Sequence, residues 1–155
     1  MHCRRWKTLR RRPGLRCDGP NSRMLDTNTL SDLIRNPRGT LVRRLGSTEP
    51  DATCTSIVVA CELRFGASQK GSDALTKRGE QLLASLTVLS LDEPADRHYA
   101  DIRAALERAG TTIGNHDLFL AAHARSRGMT LVTHNMHEFE RVPGLQVEDW
   151  LAAPA

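Results

Sequence analysis

Three acidic residues and one asparagine stand where a chain of alternating strands and helices gathers its chemistry. Asp26 directly follows a short apolar stub in MLDTNTLSDLI (24–34), and Glu62 sits among apolar neighbours in SIVVACELRFGA (56–67). Asp117 opens the helical stretch IGNHDLFLAAHARSRG (113–128), and Asn135 follows an apolar run in LVTHNMHEFERV (131–142). Carboxylates buried together repel and cannot all stay ionised unless a cation compensates. Oxygen donors of this kind suit a hard divalent ion, Mg²⁺ or Mn²⁺, rather than zinc. Each acid also has an ordinary reading: Asp26 as a turn or cap residue, Glu62 as a partner of Arg64 or a distant arginine, Asp117 as an acid favoured by a helix dipole. Their shared placement at successive strand ends is what favours the metal.

Histidine supplies the rival chemistry. His116 and His123 are seven apart in one helix, and His134 and His137 are three apart in the next loop. Four imidazoles suit zinc, but the spacing is unlike a compact finger, and the AAHA setting of His123 reads as core packing. His116 or His134 touching a phosphate is a further alternative. Serine-hydrolase chemistry is excluded by the absence of GxSxG, and phosphate cradles by the absence of Walker A and GxGxxG loops.

The elements that position these groups follow from pattern. Met24-Leu25 is a short strand. Thr29–Arg35 reads as a helix with Thr29 and Asp32 at capping-box spacing, stopped by Asn36-Pro37-Arg38-Gly39. A short helix follows near Leu41–Leu45. Residues 52–55 are β-prone, and Ser56 caps a helix running from Ile57 through Phe65 to Gly66. Leu75–Leu86 is amphipathic, Thr87–Leu91 a strand, and Pro94–Ala109 a helix with proline in its first turn. Asp117–Arg127 is helical and ended by Gly128; Met129–Thr133 is a buried strand and Leu145–Val147 an edge strand. The expected fold is therefore α/β, a mostly parallel sheet of four or five strands with helices on both faces. In such sheets ligands collect beyond the carboxyl ends of the strands.

Composition narrows the function classes. The 155 residues, 39% hydrophobic and 26% charged, make one domain with a real core. Aromatics at 4% argue against a stacking platform for single strands. No apolar run approaches the ~18 residues of a membrane helix. The cysteines (Cys3, Cys17, Cys54, Cys61) form no CxxC pair; Cys54 and Cys61 read as small core residues in a reducing, cytoplasmic compartment. The net charge of +4 divides unevenly: residues 1–23 hold eight Lys or Arg against one acid, whereas 24–155 hold 14 bases and 17 acids. Residues 1–23 thus read as a basic leader, either disordered and upstream of a true start at Met24 or a nucleic-acid-binding arm. No function is assigned to it.

MLDTN, an isolated Glu after a TS-containing strand, IGxxDLxxAAHARSRG and LVTxNxxEFERVxGLxxEDW together resemble PIN-domain ribonucleases of the VapC toxin type, over about residues 23–150. The EFERV and GLQVEDW endings resemble the enterobacterial-type branch, whose members cleave initiator tRNA in the anticodon region. The resemblance implies a PIN-like domain over 24–150 and a tail at 151–155. It implies that Asp26, Glu62 and Asp117 form the acidic metal cluster, with Asp26 and Asp117 as direct Mg²⁺ ligands. Asn135 falls where many PIN domains carry a fourth Asp, which makes a second metal less certain. Thr27, Asn28, Ser56 and Thr133 match small polar supporting positions, and His134 replaces a more usual Asn or Arg. Arg125 and Arg127 are phosphate-contact candidates, their plain reading being charges at a helix C-terminus. The implied activity is Mg²⁺-dependent hydrolysis of RNA, with Mn²⁺ as substitute and tRNA as substrate. The implied partners are a VapB-type antitoxin, through which alone DNA is bound, and a second copy of the chain. The alternative is a catalytically silent PIN-like RNA-binding or regulatory module.

Overall fold

The computed structural model describes residues 17–152; most of the basic leader and the end of the tail lie outside them. Five short strands make one parallel sheet. Its centre is β1 (Arg23–Leu25), flanked by β2 (Thr53–Ser56) and β4 (Thr130–Val132), with β3 (Thr87–Leu89) and β5 (Gln146–Glu148) at the edges. Leu25 is in register with Thr55 on one side and Val132 on the other. The chain therefore leaves β1 in one direction and returns to its other side at β4. That reversal is a switch point, where side chains beyond two neighbouring strand ends splay apart and open a crevice.

Among the described residues seven helices connect the strands. The first crossover is α1 (Thr27–Arg35) and α2 (Thr40–Gly46), followed by a 3-10 turn, Pro50–Ala52. The second is α3 (Ile57–Lys70) and α4 (Asp73–Ser85), and the third α5 (Ala95–Ala109) and α6 (Asn115–Ser126). The short α7 (Met136–Phe139) precedes β5. Right-handed crossovers place α1 to α4 on one face of the sheet and α5 and α6 on the other. β1, β2 and β4 are covered on both faces and almost wholly buried, whereas β3 and β5 at the edges are only partly covered. Met24, Leu25, Leu30, Leu131, Ile102 and Phe139 lie at the heart of the core.

Local details depart from the sequence pattern in instructive ways. α1 starts two residues early because its cap is Asp26, whose Oδ1 accepts the Thr29 N–H at 2.8 Å, so Thr29 and Asp32 form no capping box. α3 runs through Gly66 and stops only at Gly71, which adopts φ 59° as the left-handed C-cap. Ser56 does cap α3, accepting from Val58 N–H. The placed body begins before Met24. Cys17 is buried, Gly19 N–H donates to the Arg127 carbonyl at 3.0 Å, and Thr130 N–H donates to the Ser22 carbonyl at 3.1 Å. Cys54 is a core residue as expected, but Cys61 is exposed, because it lies on the outer face of α3 with Ile57 and Phe65. Among the described residues no helix is long and apolar enough to cross a membrane.

Candidate active site

The carboxyl edge of the sheet at the switch point gathers the acids. Asp26 leaves β1 and is 4% exposed; its backbone N–H donates to the Val132 carbonyl at the end of β4, 3.1 Å away. Capping α1 occupies one carboxylate oxygen and fixes the group's orientation, leaving the other oxygen available. The ordinary reading of Asp26 as a cap and the functional one as a ligand are therefore compatible.

Asp117 is the third residue of α6, half-buried, behind the cap residue Gly114. A helix N-terminus lowers the pKa of a carboxyl group, yet that of Asp117 is raised to about 7. Burial is the largest cause, followed by hydrogen-bonding contact with Glu138 and then by the negative charges of Glu138, Glu62 and Asp26. Four carboxyl groups from α1's cap, α3, α6 and α7 thus share one electrostatic neighbourhood. Among the described residues no three His, Cys, Asp or Glu side chains are already drawn to one ligation point. The site is a loose ring of oxygen donors with excess negative charge. That donor chemistry and that charge fit a hard divalent cation and not a zinc cage.

Glu138 was not singled out in the sequence. It lies three residues past Asn135, within the EFERV run, and the one-turn helix α7 that carries it has no apolar period long enough to be read. Asn135 is the residue before α7, half-buried, and its backbone N–H donates to Thr133 Oγ1 at 3.0 Å. Its side chain has no hydrogen-bond partner among the described residues.

The supporting polar positions divide into two pairs. Ser56 and Thr133 are buried at the ends of β2 and β4 and fix backbone, Ser56 by capping α3 and Thr133 by holding Asn135. Thr27 and Asn28, in the first turn of α1, face a groove of about 220 Å³ that they share with Glu62, Ile34, Arg35 and Leu63. Thr29 was overlooked: it is buried, and its hydroxyl donates to the Val132 carbonyl, tying α1 to β4.

The histidines are dispersed. His123 is fully buried and bonded through Nδ1 to Ser56 Oγ at 2.8 Å. Burial is the main cause that lowers its pKa to about 4. His134 is exposed and paired with Asp149 at 3.0 Å, His137 meets Arg141, and His116 is exposed on α6.

The phosphate-contact reading of Arg125 and Arg127 is corrected. α6 starts at the site and runs away from it, so its last turn lies at the opposite edge of the sheet. Arg125 is spent on Asp101 at 2.6 Å, on His98 Nδ1 and on the Pro143 carbonyl. Arg127 bridges Asp18 and Asp92 at 3.0 and 3.3 Å.

Comparison with known proteins places this geometry in context. The family model described as PIN domain matches residues 23–145. The chain is 38% identical to the tRNA(fMet)-specific endonuclease VapC of Salmonella typhimurium over 128 residues, covering 82% of this chain and 96% of that one. It is 36% identical to ribonuclease VapC2 of Haemophilus influenzae, covering 83% and 97%. The structure superposes on that of DNA-bound VapBC from Salmonella typhimurium with a TM-score of 0.75 at 39% identity, covering 83% and 98%.

Proposed function

The chain belongs to the PIN-domain family in its VapC branch, and from that premise we propose that it is the toxin of a toxin–antitoxin pair, a Mg²⁺-dependent endoribonuclease. The observation that carries the reading is the cluster itself. Asp26, Glu62 and Asp117 are separated by 36 and 55 positions in the chain, yet Glu62 and Asp26 lie close enough to Asp117 for their charges to raise its cost of ionisation. A silent binding module has no need to retain such a cluster, since each carboxylate removed would relieve repulsion.

Asp26 and Asp117 would hold the cation, with Glu62 and Glu138 completing the ring; Mn²⁺ offers the same preference for oxygen donors. When bound, the metal lowers the pKa of a water and neutralises charge developing on the phosphate. The remaining work falls to side chains of the chain. Asp26 is pre-oriented by its cap bond, so little reorganisation is needed at the moment of reaction. Glu62, at the mouth of the groove, orients the attacking water and accepts its proton. Asn135, uncharged and unpartnered, donates its amide to a phosphate oxygen and adds no further repulsion.

The substrate class follows the relatives: a structured RNA whose single-stranded loop enters the crevice, with initiator tRNA as the target and its anticodon region as the cut site. The partner is a VapB-type antitoxin, which contributes any contact with DNA. The apolar stripe of Ile57, Cys61 and Phe65 on α3, spaced four apart and exposed, supports self-association. The compartment is the cytoplasm, where the tRNA is.

The test is Asp26→Asn. Asn caps a helix as well as Asp does, so the fold and melting temperature are retained while metal affinity and cleavage of tRNA fall by at least about a hundredfold. Cleavage at the wild-type rate by a metal-replete Asp26→Asn protein would refute the assignment.

A further inference from the structure

Residues 33–48 contain four arginines and no acid, in a body whose acids outnumber its bases. Arg35 ends α1, Arg38 lies in the turn after it, and Arg43 and Arg44 are on α2. All four are exposed. Among the described residues five arginines elsewhere pair with a carboxylate, and the four that do not, Arg78, Arg97, Arg108 and Arg141, are spread over α4, α5 and the loop after α7. Arg23 pairs with Glu148, Arg64 with Glu80 and Arg103 with Glu107, and Arg125 and Arg127 are engaged as described above. Among the described residues Arg35, Arg38 and Arg43 have no such partner. Arg44 lies over the Trp150 ring, 5.7 Å from its centroid, a contact that leaves its N–H edge unspent.

Two of these guanidinium groups, those of Arg35 and Arg38, border a recess of about 500 Å³ shared with Asn36, Thr40 and Leu151. Its one acid, Asp32, is occupied by the Asn36 side-chain amide at 2.7 Å. Its lining sets the two guanidinium groups, Asn36 and Thr40 beside the apolar Pro37 and Leu151. Planar, permanently charged donors that no carboxylate has claimed match the oxygens of a phosphodiester. The acid cluster repels RNA until metal is bound, so a polyanionic substrate needs cations elsewhere on the surface. α1 supplies the separation: its nine residues span about 13 Å between the Asp26 cap and Arg35.

We propose that the arginine-bordered recess at the α1–α2 turn is a second RNA subsite, which grips the phosphate backbone one short helix away from the acid cluster. This rests on the ribonuclease reading and adds where the substrate is held. Leu151 carries the surface toward the β5 end, since Asp149 accepts the Leu151 N–H at 2.8 Å while its other oxygen holds His134. Arg35 also lines the groove that holds Thr27, Asn28 and Glu62, so the recess adjoins that groove.

The experiment uses the full chain and a fluorescent hairpin RNA. Binding is measured in the Asp26→Asn background across a salt series, with and without Arg38→Gln and Arg43→Gln together; cleavage is measured in the otherwise wild-type protein. The expected result is a rise of about tenfold in Kd and KM, a logarithmic salt slope shallower by about 2, and turnover at saturating RNA within about twofold. Single Arg38→Gln, whose residue lies in an exposed turn, repeats the test at smaller amplitude should the double variant fold poorly. Unchanged Kd and salt slope would overturn the proposal. So would unchanged RNA binding accompanied by loss of neutralisation by the cognate antitoxin, which would assign the recess to a protein partner. If Asp26→Asn cleaves normally, the ribonuclease reading fails at its own site, while the Kd comparison still reports on the recess.

Discussion

Within the twelve residues of α6 the molecule treats charge in two opposite ways. In the first turn, Asp117 is half-buried among Glu138, Glu62 and Asp26, all of its own sign, and its pKa is pushed up to about 7. At the far end, Arg125 holds Asp101, His98 and the Pro143 carbonyl, Arg127 holds Asp18 and Asp92, and the ring of His123 stays neutral against Ser56. The same helix thus joins an end where every charge is matched to one where like charges are forced together. Folding alone favours the first arrangement. The second calls for positive charge from outside the chain, which under the proposed function a bound cation supplies.

The sharpest way to break that contrast is Asp117→Asn. Removing the crowded charge should lower RNA cleavage about a thousandfold, equivalent to about 4 kcal/mol of transition-state stabilisation, while the metal-free protein melts at a higher temperature than wild type. Mg²⁺ should raise the melting temperature of wild type and leave that of the variant unchanged. A variant that is both inactive and less stable without metal would mean that Asp117 is a structural helix acid, and the contrast between the two ends of α6 would disappear.

A second effect is read in pH. His123 has a folded pKa of about 4 against an ordinary 6.5, so on acidification the unfolded chain takes up the proton first. Its contribution is fully present above about pH 6.5 and is lost as pH falls towards 4, amounting to on the order of 3 kcal/mol. Asp117 acts in the opposite direction. Its folded pKa is above the unfolded value, so metal-free stability falls as pH rises from 3.8 towards 7. Denaturant unfolding in EDTA should therefore show a shallow pH profile for wild type and a steeper loss on acidification for Asp117→Asn. Parallel profiles would mean that the two ends do not differ in the sign of their proton linkage.

How far the sequence revealed these two ends follows from the same physics. Asp26, Glu62 and Asp117 were legible because each sits in a motif next to a strong strand or helix signal. The order of strands and long helices followed from apolar period, and the Ser56 cap from its position before Ile57. Glu138 escaped because α7 is a single turn with no period of its own, and its role depends on a contact with Asp117 across 21 positions. Arg125 and Arg127 were misplaced because spacing shows that they share a helix end with no strand, but not which edge of the sheet that end reaches. Helix direction settles it: a crossover helix beginning beyond the carboxyl edge must end near the amino edge. The cap of α1 was assigned to Thr29 because a capping box is a pattern of types; the backbone left β1 early enough for Asp26 to reach the same N–H.

The smallest expected effect tests the matched end by itself. Arg125 is 14% exposed on its side chain and ties α6 to α5 and to the loop before β5 through His98, Asp101 and the Pro143 carbonyl. Asp101 is held below the usual carboxylate range by that guanidinium, but it stands in water, where such a pair contributes little. The hydrogen bond to His98 is better sheltered and carries most of the stabilisation. Arg125→Ala should therefore cost about 2 kcal/mol, read as a lower denaturant midpoint, with Asp101→Asn milder. RNA affinity and cleavage per folded molecule should stay at the wild-type level in both. A loss of RNA affinity in Arg125→Ala like that expected for the α1–α2 arginines would put phosphate contacts at the matched end, and the division of labour along α6 would have to be redrawn.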